Sequence, residues 1–161
     1  MTITVRYAEG DQDVAAIHQF LCLVGGPTLP GPINPIKSMI EVRRVVQQDC
    51  ALMAFKNGEL VGTLGLIRPE AWWGDLHFLA NRWFFTLPRL RAGKPLLKEA
   101  IAIAKASDLE LQIYDETKGR LVIFNKSKNR RRPLVFRQHD HPANSERQPG
   151  NDRDVEPHRY H

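Results

Sequence analysis

Trp83-Phe84-Phe85-Thr86-Leu87-Pro88-Arg89-Leu90-Arg91-Ala92-Gly93-Lys94-Pro95-Leu96-Leu97-Lys98-Glu99-Ala100 passes from an apolar strand, through a short loop, into an amphipathic helix. Arg89, Arg91, Lys94 and Gly93 stand at the junction. A helix start presents backbone N–H groups with no partner inside the helix, together with the positive end of the helix dipole. Neighbouring cations add full charges, and a glycine lets a ligand approach the main chain. The junction therefore predicts a site for phosphate groups.

Working outward, the strand reaches back to His77, and the helix runs from Lys94 to Ala106 with Leu97, Ala100, Ile101 and Ala104 on one face. Leu109 to Tyr114 alternates as a further strand. Upstream, Ala51–Phe55 and Glu59–Ile67 flank Lys56-Asn57-Gly58, and Asn-Gly between two apolar runs is a hairpin signal. Arg68 to Asp75 connects the second of these to the strand at His77. Nearer the N-terminus, Ile3 to Tyr7 reads as a strand. Asp11 or Asp13 caps a helix carrying Val14, Ile17, Phe20, Leu21 and Val24, which Gly25-Gly26 closes. The Gly- and Pro-rich stretch Gly25–Pro35 predicts a loop, and a second helix runs from Ile36 to near Asp49.

Glu116 to Lys128 fits either a short helix or a strand, and Pro133 to Arg137 a final strand. A hairpin first and a helical crossover later imply an α/β (α+β) fold. Its mixed sheet of about six strands is antiparallel in the N-terminal part and parallel at the fourth and fifth strands, with helices on both faces.

The 161 residues are the length of one domain, expected over 1–137. Residues 138–161, polar apart from Val155 and Tyr160, predict a disordered tail. No apolar run approaches the roughly 20 residues of a membrane span, and the N-terminus lacks a secretory pattern. Cys22 and Cys50 sit among apolar residues and read as buried free thiols, so the expected compartment is the cytoplasm. The tail carries a net charge of −2, so residues 1–137 carry +7 against +5 for the whole chain. Lys118 to Arg137 holds eight cations and no acid. That asymmetry favours an anionic partner, either a nucleotide cofactor or a nucleic acid.

The element order, with a basic loop after the fourth strand, resembles the GNAT superfamily of acyl-CoA-dependent N-acetyltransferases. In motif the resemblance centres on residues 80–104, where Pro88-Arg89-Leu90-Arg91-Ala92-Gly93 is similar to the family's Arg/Gln-x-x-Gly-x-Gly/Ala loop. Of its glycines only Gly93 remains, Ala92 is small enough for close approach, and Arg91 fits with its side chain turned outward. The resemblance implies acetyl-CoA as donor and no metal. Its pyrophosphate would lie against Arg89, Arg91, Ala92, Gly93 and Lys94, and its pantetheine arm along Phe84, Phe85, Thr86 and Leu87, where the fourth strand parts from the fifth. Pro95 removes one N–H from that helix start but is sterically compatible with it. The implied acceptor is a small-molecule or peptide amine, and a homodimer through sheet edges or C-terminal elements accords with the family.

Acyl transfer needs a proton taken from the amine, a polarised carbonyl and a protonated leaving thiolate. The resemblance places a carboxylate base on or before the fourth strand. No acid occurs between His77 and Pro88, so Asp75 and Glu70 are the nearest candidates, each also readable as a solvated loop acid or a cap. His77 has a suitable intrinsic pKa but also reads as a packed or surface residue. Phe124 falls where relatives carry an acidic Tyr, leaving Tyr114 as a substitute acid or a packing aromatic. At most one of Trp72 and Trp73 lines a pocket.

Lys126-Ser127-Lys128-Asn129-Arg130-Arg131-Arg132 supports a different reading, a non-catalytic basic module binding nucleic acid or a protein. No helix-turn-helix, zinc-finger or RNP-type pattern accompanies the run, which also reads as a solvated segment. His139-Asp140-His141 and His158 with His161 do not make a metal site in such a tail.

Overall fold

Asn57 and Gly58 take φ values of 52° and 79°, the two positive values that a type I′ turn requires. They fold β2 (Cys50–Lys56) back on β3 (Glu59–Ile67) as the sequence predicts. The computed structural model describes residues 2–115 and 118–126. Around the hairpin lie β1 (Thr4–Tyr7), α1 (Gly10–Phe20), α2 (Pro35–Gln48), β4 (Phe78–Thr86), α3 (Gly93–Ala106), β5 (Glu110–Asp115) and β6 (Arg120–Phe124). They form one six-stranded sheet in sequence order, antiparallel at every pair except the parallel β4–β5.

Strand alternation sends successive side chains to opposite faces, and each face gathers its own core. Leu52 and Ala54 join Leu64, Leu66, Leu111 and the inner stripe of α3, Leu96, Ala100 and Ala104. Ala51 and Met53 join Trp83 with Val14 and Ile17 of α1 and Val42 and Val45 of α2. Both cysteines are free thiols. Within the sheet Trp83 Nε1 donates to Thr63 Oγ1 at 3.0 Å, and that hydroxyl donates to the Leu52 carbonyl at 2.9 Å.

One expectation is corrected and one open choice is resolved. The first helix does not close at Gly25-Gly26, because the chain continues as a π-turn over Leu21–Gly25 and a 3-10 turn over Gly26–Thr28. Gly25 is buried, and a Cβ there would come within 2.9 Å of the Phe85 ring, so its role is close packing rather than breaking the helix. The second is the choice left open over Glu116–Lys128, whose described part is the strand β6. There Asp115 Oδ1 accepts from the Lys118 N–H at 3.1 Å, and Gly119 with φ 60° completes the turn back along β5. The strand expected over Pro133–Arg137 and the tail from 138 lie outside the described residues.

Candidate functional site

β4 pairs with β5 over three residues only, Phe78 with Glu110, Leu79 with Leu111 and Ala80 with Gln112. At the next position a side chain takes over the ladder. Asn81 Oδ1 accepts from the Tyr114 N–H at 2.8 Å, and Asn81 Nδ2 donates to the Tyr114 carbonyl at 3.2 Å. One carboxamide thus satisfies both peptide groups of Tyr114, which the main chain of β4 does not reach. From Arg82 to Thr86, β4 runs on without pairing to β5.

The other edge of β4 decides which peptide groups face that gap. Gly65 pairs with Trp83 and Leu66 with Asn81, so Arg82 is the extra residue of a bulge. Thr63 then pairs with Phe85, and the Leu87 N–H donates to the Val61 carbonyl at 2.8 Å. Antiparallel pairs alternate between bonded and non-bonded, so Phe85 and Leu87 turn their peptide groups to β3 while Phe84 and Thr86 turn theirs to the side β5 has left. The side chains are committed elsewhere: Phe84 packs into the α3 core, and Phe85 against the core of α1 and α2.

Beyond β4 the loop carries its unusual backbone at two arginines. Arg89 has φ 69° and Arg91 φ 55°, left-handed values that glycine adopts freely. Ala92 follows in right-handed helical geometry, fully buried. Alternating left- and right-handed residues point successive N–H groups into one concavity suited to an anion. No side chain caps the start of α3 and no acid stands in its first turn. α2 differs, because Asn34 Oδ1 accepts from the N–H groups of Ile36 and Lys37. Arg89, Arg91 and Lys94 are exposed around the uncapped end. A Cβ at Gly93 would meet Phe84 at 3.6 Å, an ordinary contact, so the fold itself does not demand glycine there.

Asn81 and Tyr114 meet where the strands part, and Arg82, Phe84 and Thr86 follow along the stretch of β4 that β5 leaves unpaired, with Tyr114 about half exposed. Glu70, Asp75 and His77 sit before β4, at the end away from the basic loop, and the backbones of Glu70 and His77 pair as a single antiparallel bridge across the connector. Trp72 and Trp73 stack edge to face at 5.7 Å, 90% and 66% exposed. Sequence reading missed Arg82 and Glu41 of α2, whose Oε1 accepts from Arg82 Nε at 3.0 Å. The signal was a cation inside a largely apolar strand, while the bulge that turns it to α2 is a register property with no mark of its own. The Arg44 guanidinium, and after it Arg82, hold the Glu41 carboxyl below its ordinary pKa. No group of three metal-ligating side chains occurs among the described residues. The cations at 128 and 130–132 and the tail histidines lie outside them.

No family model matches the chain, and no curated protein matches it. Solved structures do. A GNAT family acetyltransferase from Staphylococcus aureus aligns over 82% of this chain and 99% of its own, at 18% identity and a TM-score of 0.56. A GNAT family acetyltransferase from Brucella melitensis, solved with acetyl-CoA, aligns over 71% and 77% at 16% identity and 0.57. An aminoglycoside 6'-N-acetyltransferase, solved with coenzyme A, aligns over 70% and 61% at 18% identity and 0.52. The likeness is one of fold.

Proposed function

We propose that this chain, which has the fold of the GNAT acetyltransferases, moves an acetyl group from acetyl-CoA to a primary amine by direct transfer. The observation that carries this reading is the gap between β4 and β5, with the peptide groups of Phe84 and Thr86 turned into it and the uncapped start of α3 beyond it. Solved structures of this fold with acetyl-CoA and with coenzyme A support the donor.

In this reading the stretch Phe84–Leu87 contributes through its main chain, with Phe84 and Thr86 as the donors and acceptors for an extended amide-bearing arm. A donor N–H there also polarises a thioester carbonyl, where fixed dipoles act without reorganisation. Arg89, Arg91 and Lys94, with the N–H groups of Ala92 and Gly93, hold a pyrophosphate that stands in for the missing cap of α3. Pro95, lacking an N–H, leaves that work to the residues before it. Tyr114, fixed through both peptide groups by Asn81, is the acid that protonates the leaving thiolate. Asp75 or Glu70 accepts the amine proton through water, since both belong to the connector rather than the split.

Thermal unfolding with acetyl-CoA tests the reading: a ligand at a hundredfold excess over its Kd stabilises by about 2.7 kcal/mol. Gly93→Glu is expected to abolish that stabilisation with the unliganded fold intact, because its carboxylate would occupy the anion's place. An absent shift, with salt-dependent retention of DNA or RNA, would instead support the non-catalytic basic module.

A further inference from the structure

We propose that the groove between the first turns of α2 and the bulge of β4 receives the acceptor, and that this acceptor is an amine carrying a carboxylate and an apolar side chain, of the size of an α-amino acid. The proposal rests on the acyltransferase reading and adds the substrate class.

The groove encloses about 410 Å³ and is lined by Asn34, Ile36, Lys37, Ile40, Glu41 and Arg82. Ile36 and Ile40 stand one turn apart on the same face of α2, 75% and 61% exposed. Two neighbouring isoleucines turned outward on a helix whose core stripe is Val42 and Val45 offer an apolar wall to a ligand.

The charges around that wall are selective. Glu41 already accepts three hydrogen bonds from two arginines: Oε1 accepts from Arg44 Nη2 at 2.7 Å and from Arg82 Nε at 3.0 Å, while Oε2 accepts from Arg44 Nε at 3.1 Å. The arginines that hold it also lower its pKa, so it is no proton acceptor near neutrality, and their two positive charges offset its own toward an ammonium group. The open charges are positive. Among the described residues the two Nη groups of Arg82 bond nothing, and the Lys37 ammonium makes no ion pair. A guanidinium fork with its Nη edge free matches a carboxylate. A polycationic acceptor would meet Lys37 and Arg82 with no free acid to balance it.

Position ties the groove to the chemistry. Arg82 is the bulged residue next to Asn81, whose carboxamide spans the split. A carboxylate held at Arg82 keeps its own α-amino group beside the gap, and the side chain lies over Ile36 and Ile40. The amine nitrogen then attacks the thioester carbonyl carbon. A C–N bond forms and the C–S bond breaks. The ammonium gives up one proton through water to Asp75 or Glu70 before the attack, the nitrogen loses a second as the amide forms, and that second proton replaces the one Tyr114 gives to the departing thiolate.

The test uses the full chain with acetyl-CoA, thiol release as the readout, and calorimetric binding of coenzyme A as a separate measurement. Leucine and phenylalanine are expected to exceed leucinamide and phenylalaninamide in kcat/KM by about tenfold, the scale of one charge-assisted contact. Kanamycin and spermidine are expected to be the poorest acceptors. Arg82→Gln should erase the preference for acid over amide through the acceptor KM, and Arg82→Lys should restore part of it. Equal use of acid and amide, or preference for kanamycin or spermidine, overturns the proposal with the acyltransferase reading intact. So does coenzyme A binding with no turnover of any carboxylate-bearing amine. Failure to bind coenzyme A at all would mark the failure of the acyltransferase reading itself.

Discussion

Arg89 and Arg91 hold left-handed backbone conformations at φ 69° and 55°, which strain a residue with a Cβ by roughly 1–2 kcal/mol. Glycine would remove the strain but add freedom to the unfolded chain. Arg89→Gly and Arg91→Gly are therefore each expected to raise stability in urea by up to about 1 kcal/mol. Coenzyme A affinity should fall in the same proteins, because each loses a cation at the proposed anion site. Opposite signs in the two measurements would separate the arginines' role in binding from their place in the fold. Two other glycines make a contrast of the same kind. A Cβ at Gly65 would lie 2.6 Å from the Trp83 indole, whereas one at Gly93 has 3.6 Å to its nearest neighbour. Gly65→Ala should lower the unfolding free energy by about 1–3 kcal/mol through overpacking, and Gly93→Ala should leave it nearly unchanged.

At the scale of elements, β4 is shared between two neighbours and released by one. Its β3 edge is paired to the end, and its β5 edge is abandoned after Ala80. Asn81 stands at the point of release and keeps β5 in place with two bonds to Tyr114. Asn81→Ala would leave those peptide groups without their partner, costing about 1–3 kcal/mol if they stay dry and less where water replaces the side chain. Amide exchange at Tyr114 should quicken in the variant while that of Leu111, deep in the ladder, follows global stability. α3 shows a second unfinished end, since its first turn has no side-chain cap while α2 has Asn34. A helix start left open beside three exposed cations is stabilised when an anion binds it.

For the molecule as a whole, acid stability follows from carboxylates held by arginines. Arg6 donates to Asp13 at 2.7 and 2.9 Å, tying β1 to α1, and lowers the Asp13 pKa below its ordinary 3.8. Glu41, held by Arg44 and Arg82, lies below its ordinary 4.5. Depressed folded-state values mean that these groups contribute fully above 4.5 and progressively lose that contribution as pH falls through the lowered values. Urea midpoints are expected to hold steady from neutrality down to about pH 5 and to fall below 4.5. Glu41→Gln should flatten part of that fall. The exposure of Arg6 and Arg82 keeps each effect small, and added salt should shrink it.

The sequence by itself determined what depends on neighbours along the chain. Asn57-Gly58 dictates its hairpin through the backbone freedom of two residues, and the helical spacing of Leu97, Ala100, Ile101 and Ala104 marks the face of α3 on which Ala100 and Ala104 are buried, though the structure adds Leu96 to that stripe. Tertiary structure alone decided whatever depends on two strands meeting in one register. That Phe84 and Thr86 rather than Phe85 and Leu87 face the gap follows from a single bulge at Arg82. That Asn81 grips Tyr114 joins residues 33 apart in the chain. Gly25 shows the same division, since its lack of a Cβ is spent on the Phe85 ring rather than on a turn. Pairing across a sheet is non-local, and a shift of one residue exchanges the inward and outward groups, so local composition carries no record of it.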